Sequence, residues 1–201
     1  MLLFYMNKIP SAMSYLYKNK HIALRDGNIS FKPAFKNHFF ITPGSVKKDN
    51  LKTSDLIKVI FTKEELFITN NHLNLKPSRE ISMHSMFHVK KEFYDKDLYV
   101  VHAHPKNLIS YIGLYKNNEL KTIKSLFPEI NVNIGRNVGP YEAGSLQLAG
   151  ESYKNLVNYD IVGLRNHGSL GIGNNLDKLI EHIETLEYYL QIANISNISI
   201  K

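Results

Sequence analysis

The stretch LYVVHAHP, residues 98–105, places two histidines at the end of a segment that should be buried. Its first four residues form an apolar run of β-favouring side chains, which is the pattern of a strand in a protein core. His102 and His104 follow, separated by one alanine, and Pro105 ends the segment. Side chains two residues apart in a strand point to the same side of the sheet, so these two imidazoles should project together. The segment therefore predicts a core strand that carries two potential metal ligands.

Periodicity along the rest of the chain predicts an α/β fold. The clearest helix is predicted over 176–194, where apolar residues recur at steps of three and four. The other predicted helices span 11–20, 78–91, 107–116 and 142–156, and the predicted strands span 28–31, 38–42, 56–61, 98–103, 130–134 and 160–165. Several short strands follow one another without an intervening helix, which favours a mixed or antiparallel sheet with helices on its faces. No repeat or linker divides the 201 residues, so we expect one domain over 1–201.

Composition excludes several classes of protein. Hydrophobic residues make up 43% of the chain, near the globular average, and no run approaches the ~20 apolar residues of a membrane helix. The chain has no cysteine, which excludes disulfides and thiolate metal sites and fits a cytoplasmic location. The net charge is +7, but the lysines are scattered and no nucleic-acid-binding motif is present. We therefore expect no membrane and no nucleic-acid partner, and a small anionic substrate instead.

A third histidine lies in the stretch RNHGSLGIG, where His167 follows the predicted strand 160–165. Two strands of one sheet that both end in histidine can bring these side chains together. A catalytic zinc takes three protein ligands and keeps one position open. Each histidine alone would more often be a satisfied polar residue at a strand end, but His102, His104 and His167 together favour a metal site.

The stretch KPSRE, residues 76–80, predicts the start of the helix over 78–91. Ser78 can cap this helix, and Arg79 and Glu80 would lie in its first turn. Free backbone N–H groups and the helix dipole make such an end suitable for phosphate or carboxylate. Glu80 would either complement the dipole or, near a metal, move a proton.

Two histidines follow Glu80 on the same face of this predicted helix. His84 and His88 lie four and eight residues further along the chain, which is helical spacing. They could be extra metal ligands, but packing against the sheet is the favoured interpretation.

The order of the motifs resembles that of the class II aldolase/adducin family. GNIS, ITPGS, KPSRE, VVHAHP, GPYEAGSLQLA and RNHGSLGIG follow one another and precede a long final helix, so the resemblance runs from about residue 21 to residue 195. It implies a three-layer α/β/α sandwich with a mixed, largely antiparallel central sheet. It also implies a homotetramer with its sites near subunit interfaces.

The resemblance further implies a zinc-dependent lyase that cleaves a phosphorylated ketose to dihydroxyacetone phosphate or glycolaldehyde phosphate and an aldehyde. The family's reaction passes through a metal-stabilised enediolate. Its zinc ligands match His102, His104 and His167, with Mn²⁺ or Co²⁺ as alternatives to Zn²⁺, and its catalytic carboxylate matches Glu80. Small turn residues let backbone amides approach an anion, and the phosphate pocket of the family matches Gly27, Asn28, Gly44, Ser45, Ser78 and Arg79.

Departures from the family pattern leave other functions open. The family's aldolases usually have a second serine where this chain has Arg79, and arginine can bind a carboxylate with two hydrogen bonds. A basic residue there resembles the branch that decarboxylates 3-oxo-acid (tetronate) phosphates, so a sugar-acid phosphate is the nearest alternative substrate. Epimerisation and dehydration of a sugar phosphate are further enzymatic alternatives. A non-catalytic, adducin-like interaction module is the alternative in which the chain is not an enzyme.

Two more departures concern a turn and the general acid. The turn reads TPGS, where many members have threonine or serine followed by glycine. The tyrosine that the family's aldolases supply from the chain's tail has no counterpart in ISNISIK. Nor is the tyrosine of a neighbouring subunit identifiable: Tyr111, Tyr115 and Tyr141 are available, and none is assigned as the acid.

Overall fold

A seven-stranded sheet forms the centre of the part of the chain that the structure, a computed structural model, describes: residues 2–62, 65–69, 74–113 and 118–196. The strands are β1 (Asn28–Lys32), β2 (His38–Ile41), β3 (Ile57–Phe61), β4 (Leu66–Ile68), β5 (Leu98–Ala103), β6 (Ile161–Leu164) and β7 (Gly168–Gly173). Their order is β4-β3-β2-β1-β5-β7-β6, and all of these pairings are antiparallel. Parallel pairing is limited here to two isolated bridges, Ile134 to Ile161 and Val138 to Leu164.

Helices cover both faces of this sheet. They are α1 (Leu2–Lys18), α2 (Ile81–His88), α3 (Lys106–Ile112), α4 (Ile123–Leu126), α5 (Leu146–Leu156) and α6 (Leu176–Ile195), and short 3₁₀ helices lie at Thr53–Asp55, Lys91–Phe93 and Leu120–Thr122. None of the helices in the described ranges has the length and apolarity that a bilayer crossing requires.

Strand β5 shows why the sheet needs two helical layers. All six of its residues are buried, and successive side chains point to opposite faces. Tyr99 and Val101 pack in the core beneath α1, α3 and α6, whereas Leu98 and Val100 pack in the core beneath α2 and α5. The three-layer α/β/α sandwich is confirmed.

Three predictions about strands were wrong: one predicted strand is absent, and β4 and β7 were not predicted. The segment 130–134 is not a strand and meets β6 through one bridge at Ile134. Strand β7 was missed because its sequence, GSLGIG, is half glycine, has one β-branched residue and has no aromatic residue. One of its glycines has a packing reason, since a Cβ at Gly168 would collide with the carbonyl oxygen of Ala103 in β5.

Several helix boundaries also differ from the prediction. Helix α2 begins at Ile81, so Arg79 and Glu80 precede its first turn, and it ends at His88. Ser78 does not cap it: its hydroxyl accepts the backbone N–H of Glu80 (3.3 Å), which itself occupies the N-cap position.

The remaining helices differ mainly at one end. Helix α1 begins nine residues before the predicted start, and α5 begins at Leu146, where the hydroxyl of Ser145 accepts the N–H of Leu148 at 3.1 Å. Helix α3 ends at Ile112, and residues 114–116 of the predicted helix lie outside the described residues.

Candidate metal centre

Three histidines meet at one end of the sheet. His102 lies in β5, His104 follows just beyond the strand, and His167 lies in the turn that joins β6 to β7. Because β5 and β7 are antiparallel neighbours, the end of β5 lies beside the start of β7. One nitrogen of each ring lies within 4.8 Å of the others, and the Nε2 atoms of His102 and His104 are 2.9 Å apart. Nitrogens that share one Zn²⁺ at about 2.0–2.1 Å need comparable spacing.

The backbone around His167 explains how this ring reaches the other two. Asn166 adopts a left-handed conformation (φ 55°), which asparagine tolerates better than most residues. Gly168 follows, and a Cβ there would collide with the carbonyl oxygen of Ala103. The glycine therefore lets the turn approach β5 closely enough for His167 to lie beside His102.

Neighbouring oxygens orient two of the rings. Nδ1 of His102 donates to the carbonyl oxygen of Ser169 at 2.8 Å, which places the proton on Nδ1 and leaves Nε2 free for a cation. Nδ1 of His104 lies 3.6 Å from a carboxylate oxygen of Asp26. Such outer contacts raise the basicity of a metal ligand and fix its tautomer.

The three imidazoles are held neutral. Burial lowers the pKa of all three, and the neighbouring His104 lowers the pKa of His102 and His167 further. The pKa of His167 falls to about 4. Neutral imidazole is the state that binds a metal, and three of them with an open position fit Zn²⁺, with other divalent cations of the first transition row as alternatives.

A buried carboxylate lies beside the cluster. Glu80 Oε1 is 3.7 Å from Nε2 of His167, and Glu80 Oε2 accepts the backbone N–H of Gly144 at 3.1 Å. Burial raises the pKa of Glu80, although the hydrogen bond from Gly144 and the charge of Arg79 oppose this shift. A carboxylate with a raised pKa can accept and return a proton nearer to neutral pH.

The loop that precedes α5 holds this carboxylate in place. Gly144 has a positive φ of 81°, and a Cβ there would lie 2.9 Å from the backbone oxygen of Arg79. Arg79 in turn donates from Nη2 to the carbonyl oxygen of Ala143 at 3.1 Å. The loop and the segment before α2 therefore support each other across the site.

One cavity of ≈ 720 Å³ opens onto the cluster. The ten residues that the sequence predicts for the site all line it: Gly27, Asn28, Gly44, Ser45, Ser78, Arg79, Glu80, His102, His104 and His167. They come from segments far apart in the chain, which antiparallel pairing of β1 with β5 and of β5 with β7 brings together.

The turn at residues 43–45 differs in detail from the prediction that its amides bind phosphate. The N–H of Gly44 already donates to the carbonyl oxygen of Lys76 at 3.0 Å, so it is not free for a ligand. A Cβ at Gly44 would lie 3.1 Å from the carbonyl oxygen of Pro77. Gly44 thus permits a close approach of two backbone segments, and Ser45 lines the cavity.

The cavity is also lined by charged residues that the sequence analysis missed: Arg25, Asp26, Lys48 and Lys76. Lys48 is buried, donates to the carbonyl oxygen of Pro43 at 2.5 Å, and has its pKa lowered to about 8 by burial. Nothing in the sequence separates it from its exposed neighbour Lys47. Asp26 did carry a signal, because it directly precedes the turn residue Gly27.

Other candidates lie away from this cavity. His84 and His88 are buried against β1, which agrees with packing rather than metal binding. The Tyr111 hydroxyl lies 3.1 Å from the hydroxyl of Thr122, in the core. Tyr141 does not line the cavity, and Tyr115 lies outside the described residues.

Fold and cluster together define a three-layer α/β protein with a site suited to a divalent cation. Within this class, the family described as Class II Aldolase and Adducin N-terminal domain matches residues 7–194, and the chain belongs to that family. The resemblance carried by the motifs is confirmed.

Relatives in this family are named as aldolases. The L-fuculose phosphate aldolase of Methanocaldococcus jannaschii is 29% identical over 174 residues, covering 86% of each chain. The 5-deoxy-D-ribulose 1-phosphate aldolase of Bacillus thuringiensis is 27% identical over 83% of this chain and 73% of its own. Among solved structures, the fold is similar to that of a sugar-phosphate aldolase from Thermotoga maritima, with a TM-score of 0.81, 19% identity and coverage of 100% of this chain and 98% of the other.

Proposed function

We propose that this chain is a metal-dependent carbon–carbon lyase that cleaves a phosphorylated ketose to dihydroxyacetone phosphate or glycolaldehyde phosphate and an aldehyde. The observation that carries the proposal is the position of Glu80. Its Oε1 lies 3.7 Å from Nε2 of His167 in the histidine cluster, whose spacing suits a metal ion, and Glu80 lines the same cavity. Membership of the family supports lyase chemistry. The names of the relatives support a phosphorylated sugar as the substrate class.

His102, His104 and His167 would hold the cation, for which Zn²⁺ is the best fit and Mn²⁺ or Co²⁺ are alternatives. When bound, the cation would supply the positive charge that stabilises negative charge developing on the substrate's oxygens. The carboxylate of Glu80 would remove and return the proton on carbon, because the N–H of Gly144 holds one of its oxygens and leaves the other toward the cluster.

Other residues of the cavity wall would bind the phosphate group. Asn28, Ser45, Ser78 and Arg79 offer amide, hydroxyl and guanidinium donors there. Gly27 keeps the first turn tight, since it has φ 68° and a Cβ would lie 2.6 Å from Ile22. Binding the phosphate would hold the carbon-bound proton near Glu80.

The test is proton exchange without the aldehyde partner. Purified protein loaded with Zn²⁺ would be mixed with dihydroxyacetone phosphate in deuterated water, and the carbon-bound protons would be followed by NMR. We expect stereospecific loss of one proton signal. His167→Ala should lose both bound zinc and exchange, and retention of zinc by this variant would contradict the ligand assignment. A native protein that neither binds zinc nor exchanges the proton would favour a non-catalytic scaffold.

A second candidate function is decarboxylation of a 3-oxo-acid phosphate, which the position of Arg79 favours. Arg79 is exposed on the cavity wall and uses one donor for Ala143, so its other N–H groups could bind a substrate carboxylate. No exchange of dihydroxyacetone phosphate by the zinc-loaded protein, together with CO₂ release from a 3-oxo-acid phosphate, would select this function. Arg79→Lys keeps the positive charge but loses the two parallel N–H donors of the guanidinium group, so it should then lower the rate of decarboxylation sharply.

We also propose the homotetramer that the resemblance implies, with 1–201 as one domain. Leu66, Phe67 and Ile68 of the edge strand β4 are exposed, as expected of residues that another copy would cover. Light scattering should give four times the 23.1 kDa mass of the chain, and a monomer would contradict the proposal.

A further inference from the structure

A chain of four buried polar residues connects the interior of the α2 layer to the cavity. It runs from His88 through Ser30 and His84 to Asn28, and each of these residues is at most 4% exposed. Nε2 of His88 lies 2.6 Å from Ser30 Oγ, which lies 2.7 Å from Nδ1 of His84. Nε2 of His84 is hydrogen bonded to Oδ1 of Asn28.

We propose that His84 is a positioning residue: its Nε2–H holds the amide oxygen of Asn28, so that the amide nitrogen of Asn28 faces the cavity as a donor for the substrate's anionic group. The inference rests on the proposed function, because it assigns a role within the same phosphate pocket.

The secondary structure brings the four residues together. Asn28 and Ser30 are two apart in β1 and point to the same face of the sheet, while His84 and His88 are four apart on the facing side of α2. Asn28 also pairs across the strands with His102, one of the three clustered histidines. The end of the polar chain is therefore fixed relative to the candidate metal centre.

The hydrogen bonds among these four residues can run in either of two directions. The protonation state of His88, at the buried end, decides between them. In the first direction each residue donates to the next one toward the cavity: His88 donates to Ser30, Ser30 to His84, and His84 to Asn28. Nδ1 of His88 is then unprotonated. In the reverse direction Nδ1 of His88 would carry a proton. This nitrogen is buried and has no hydrogen-bond partner among the described residues, and a buried N–H without an acceptor is rare in proteins.

The direction toward the cavity has a consequence for ligand binding. The oxygen of Asn28 is occupied by His84, so the NH₂ group is the part of the side chain left for the cavity, and no described residue accepts a hydrogen bond from it. In the reverse direction the amide oxygen would face the ligand and repel an anion. The amide of an asparagine rotates freely unless a neighbour holds one end, and His84 is that neighbour.

Both histidines keep this arrangement over a wide range of pH. Burial lowers the pKa of His84 to about 3 and lowers that of His88 well below its ordinary value. Each ring therefore stays neutral, with one donor and one acceptor nitrogen, as this series of hydrogen bonds requires.

A double-mutant cycle between His84 and Asn28 tests the inference. Binding of dihydroxyacetone phosphate, and of inorganic phosphate, to zinc-loaded protein would be measured by calorimetry, with the thermal unfolding midpoint recorded for each variant. We expect His84→Leu to weaken binding about tenfold, the scale of one lost hydrogen bond to an anion. In an Asn28→Ala background the same change should weaken binding no further, although it should lower the unfolding midpoint in both backgrounds.

Three further variants make the outcome specific. His84→Gln, whose amide can donate from nearly the same position, should restore binding. Ser30→Ala removes the link that orients His84 and should weaken binding even if His84→Leu fails to fold. His182→Leu is the matched control, because His182 is also buried, no described residue is hydrogen bonded to its Nδ1, and it lies on α6, outside the cavity. It should lower stability and leave binding unchanged.

Two results would overturn the inference. Additive losses of binding in the cycle, with normal binding by the native protein, would show that His84 does not act through Asn28 and would leave the proposed function intact. Failure of the native zinc-loaded protein to bind either ligand would overturn the phosphate pocket itself, and the inference with it.

Discussion

Ser45 adopts a backbone conformation that few serines adopt. Its φ is 59°, in the left-handed region, where a Cβ costs roughly 1–2 kcal/mol relative to the right-handed region. Its neighbours hold it there: Arg25 donates to its carbonyl oxygen, and the adjacent Gly44 is bound to Lys76. These contacts hold a strained backbone conformation in the wall of the cavity.

Ser45→Gly should raise the free energy of unfolding by about 1 kcal/mol, because glycine adopts positive φ without steric cost. Urea denaturation of the metal-free protein would measure the change. Ser45→Ala is the matched control, since it removes the hydroxyl but keeps the Cβ, and should give no gain. Equal stabilisation by both variants would attribute the effect to the hydroxyl instead of the backbone.

Glu80→Gln should lower the rate of proton exchange on dihydroxyacetone phosphate by ~10²–10⁴-fold, the usual contribution of a general base. Glutamine has nearly the same shape and can still accept the N–H of Gly144, so fold and bound zinc should be retained. Glu181→Gln, an exposed position on α6, serves as the control and should leave the rate unchanged. An unchanged rate for Glu80→Gln would contradict its role as the base.

Helix α3 depends on a neighbouring helix for its cap. It begins two residues after His104, and its N-cap residue, Pro105, offers no side-chain hydrogen bond. Glu187 of α6 accepts the backbone N–H groups of Asn107 and Leu108, both at 3.0 Å, together with the side-chain amide of Asn107 at 2.9 Å. A carboxylate at a helix N-terminus satisfies free donors and complements the dipole, so α6 stabilises the segment that follows the histidine pair.

Glu187→Ala should lower the free energy of unfolding by about 1–2 kcal/mol, the range for loss of an N-terminal cap. Denaturant titration would measure the total effect, and hydrogen exchange at the amides of Asn107 and Leu108 would locate it, since both should exchange faster. Glu181→Ala on the same helix should have little effect on either measurement. Unchanged exchange at the two amides would show that Glu187 is not the cap.

The described histidines share one property across the molecule, which is a pKa lowered by burial. Burial is the largest cause of a lowered pKa at every histidine in the described ranges: His21, His38, His84, His88, His102, His104, His167 and His182. In the unfolded chain each would titrate near its ordinary pKa of about 6.5. Between that pH and the lower folded values, the unfolded chain binds more protons than the folded chain, which favours unfolding.

The metal-free protein should therefore keep the histidine contribution to its stability above about pH 6.5 and lose it progressively as the pH falls from 6.5 toward 4. Urea midpoints at pH 8, 7, 6 and 5, in the presence of a chelator, would measure the loss. His182→Gln should make the pH dependence less steep by at most one proton, ~1.4 kcal/mol per pH unit. Stability that is constant or rising from pH 7 to 5 would contradict the prediction.

The sequence by itself determined the parts of this protein that depend on short-range pattern. The apolar run before His102, the alternation that places His102 and His104 on one side, and the periodicity of α6 are local features, and each was predicted correctly. The order of the motifs supplied the family, and through it seven further predicted residues that line the cavity.

Only the tertiary structure decided features that depend on contacts between distant segments. Strand β7 is a strand because β5 and β6 pair with it on both sides, although its glycine-rich sequence has little intrinsic β preference. Lys48 is buried where Lys47 is not, and His84 meets Asn28 although 56 positions separate them in the chain. Burial and hydrogen-bond partners are set by packing across the sheet, and packing is not encoded in the spacing of neighbouring residues.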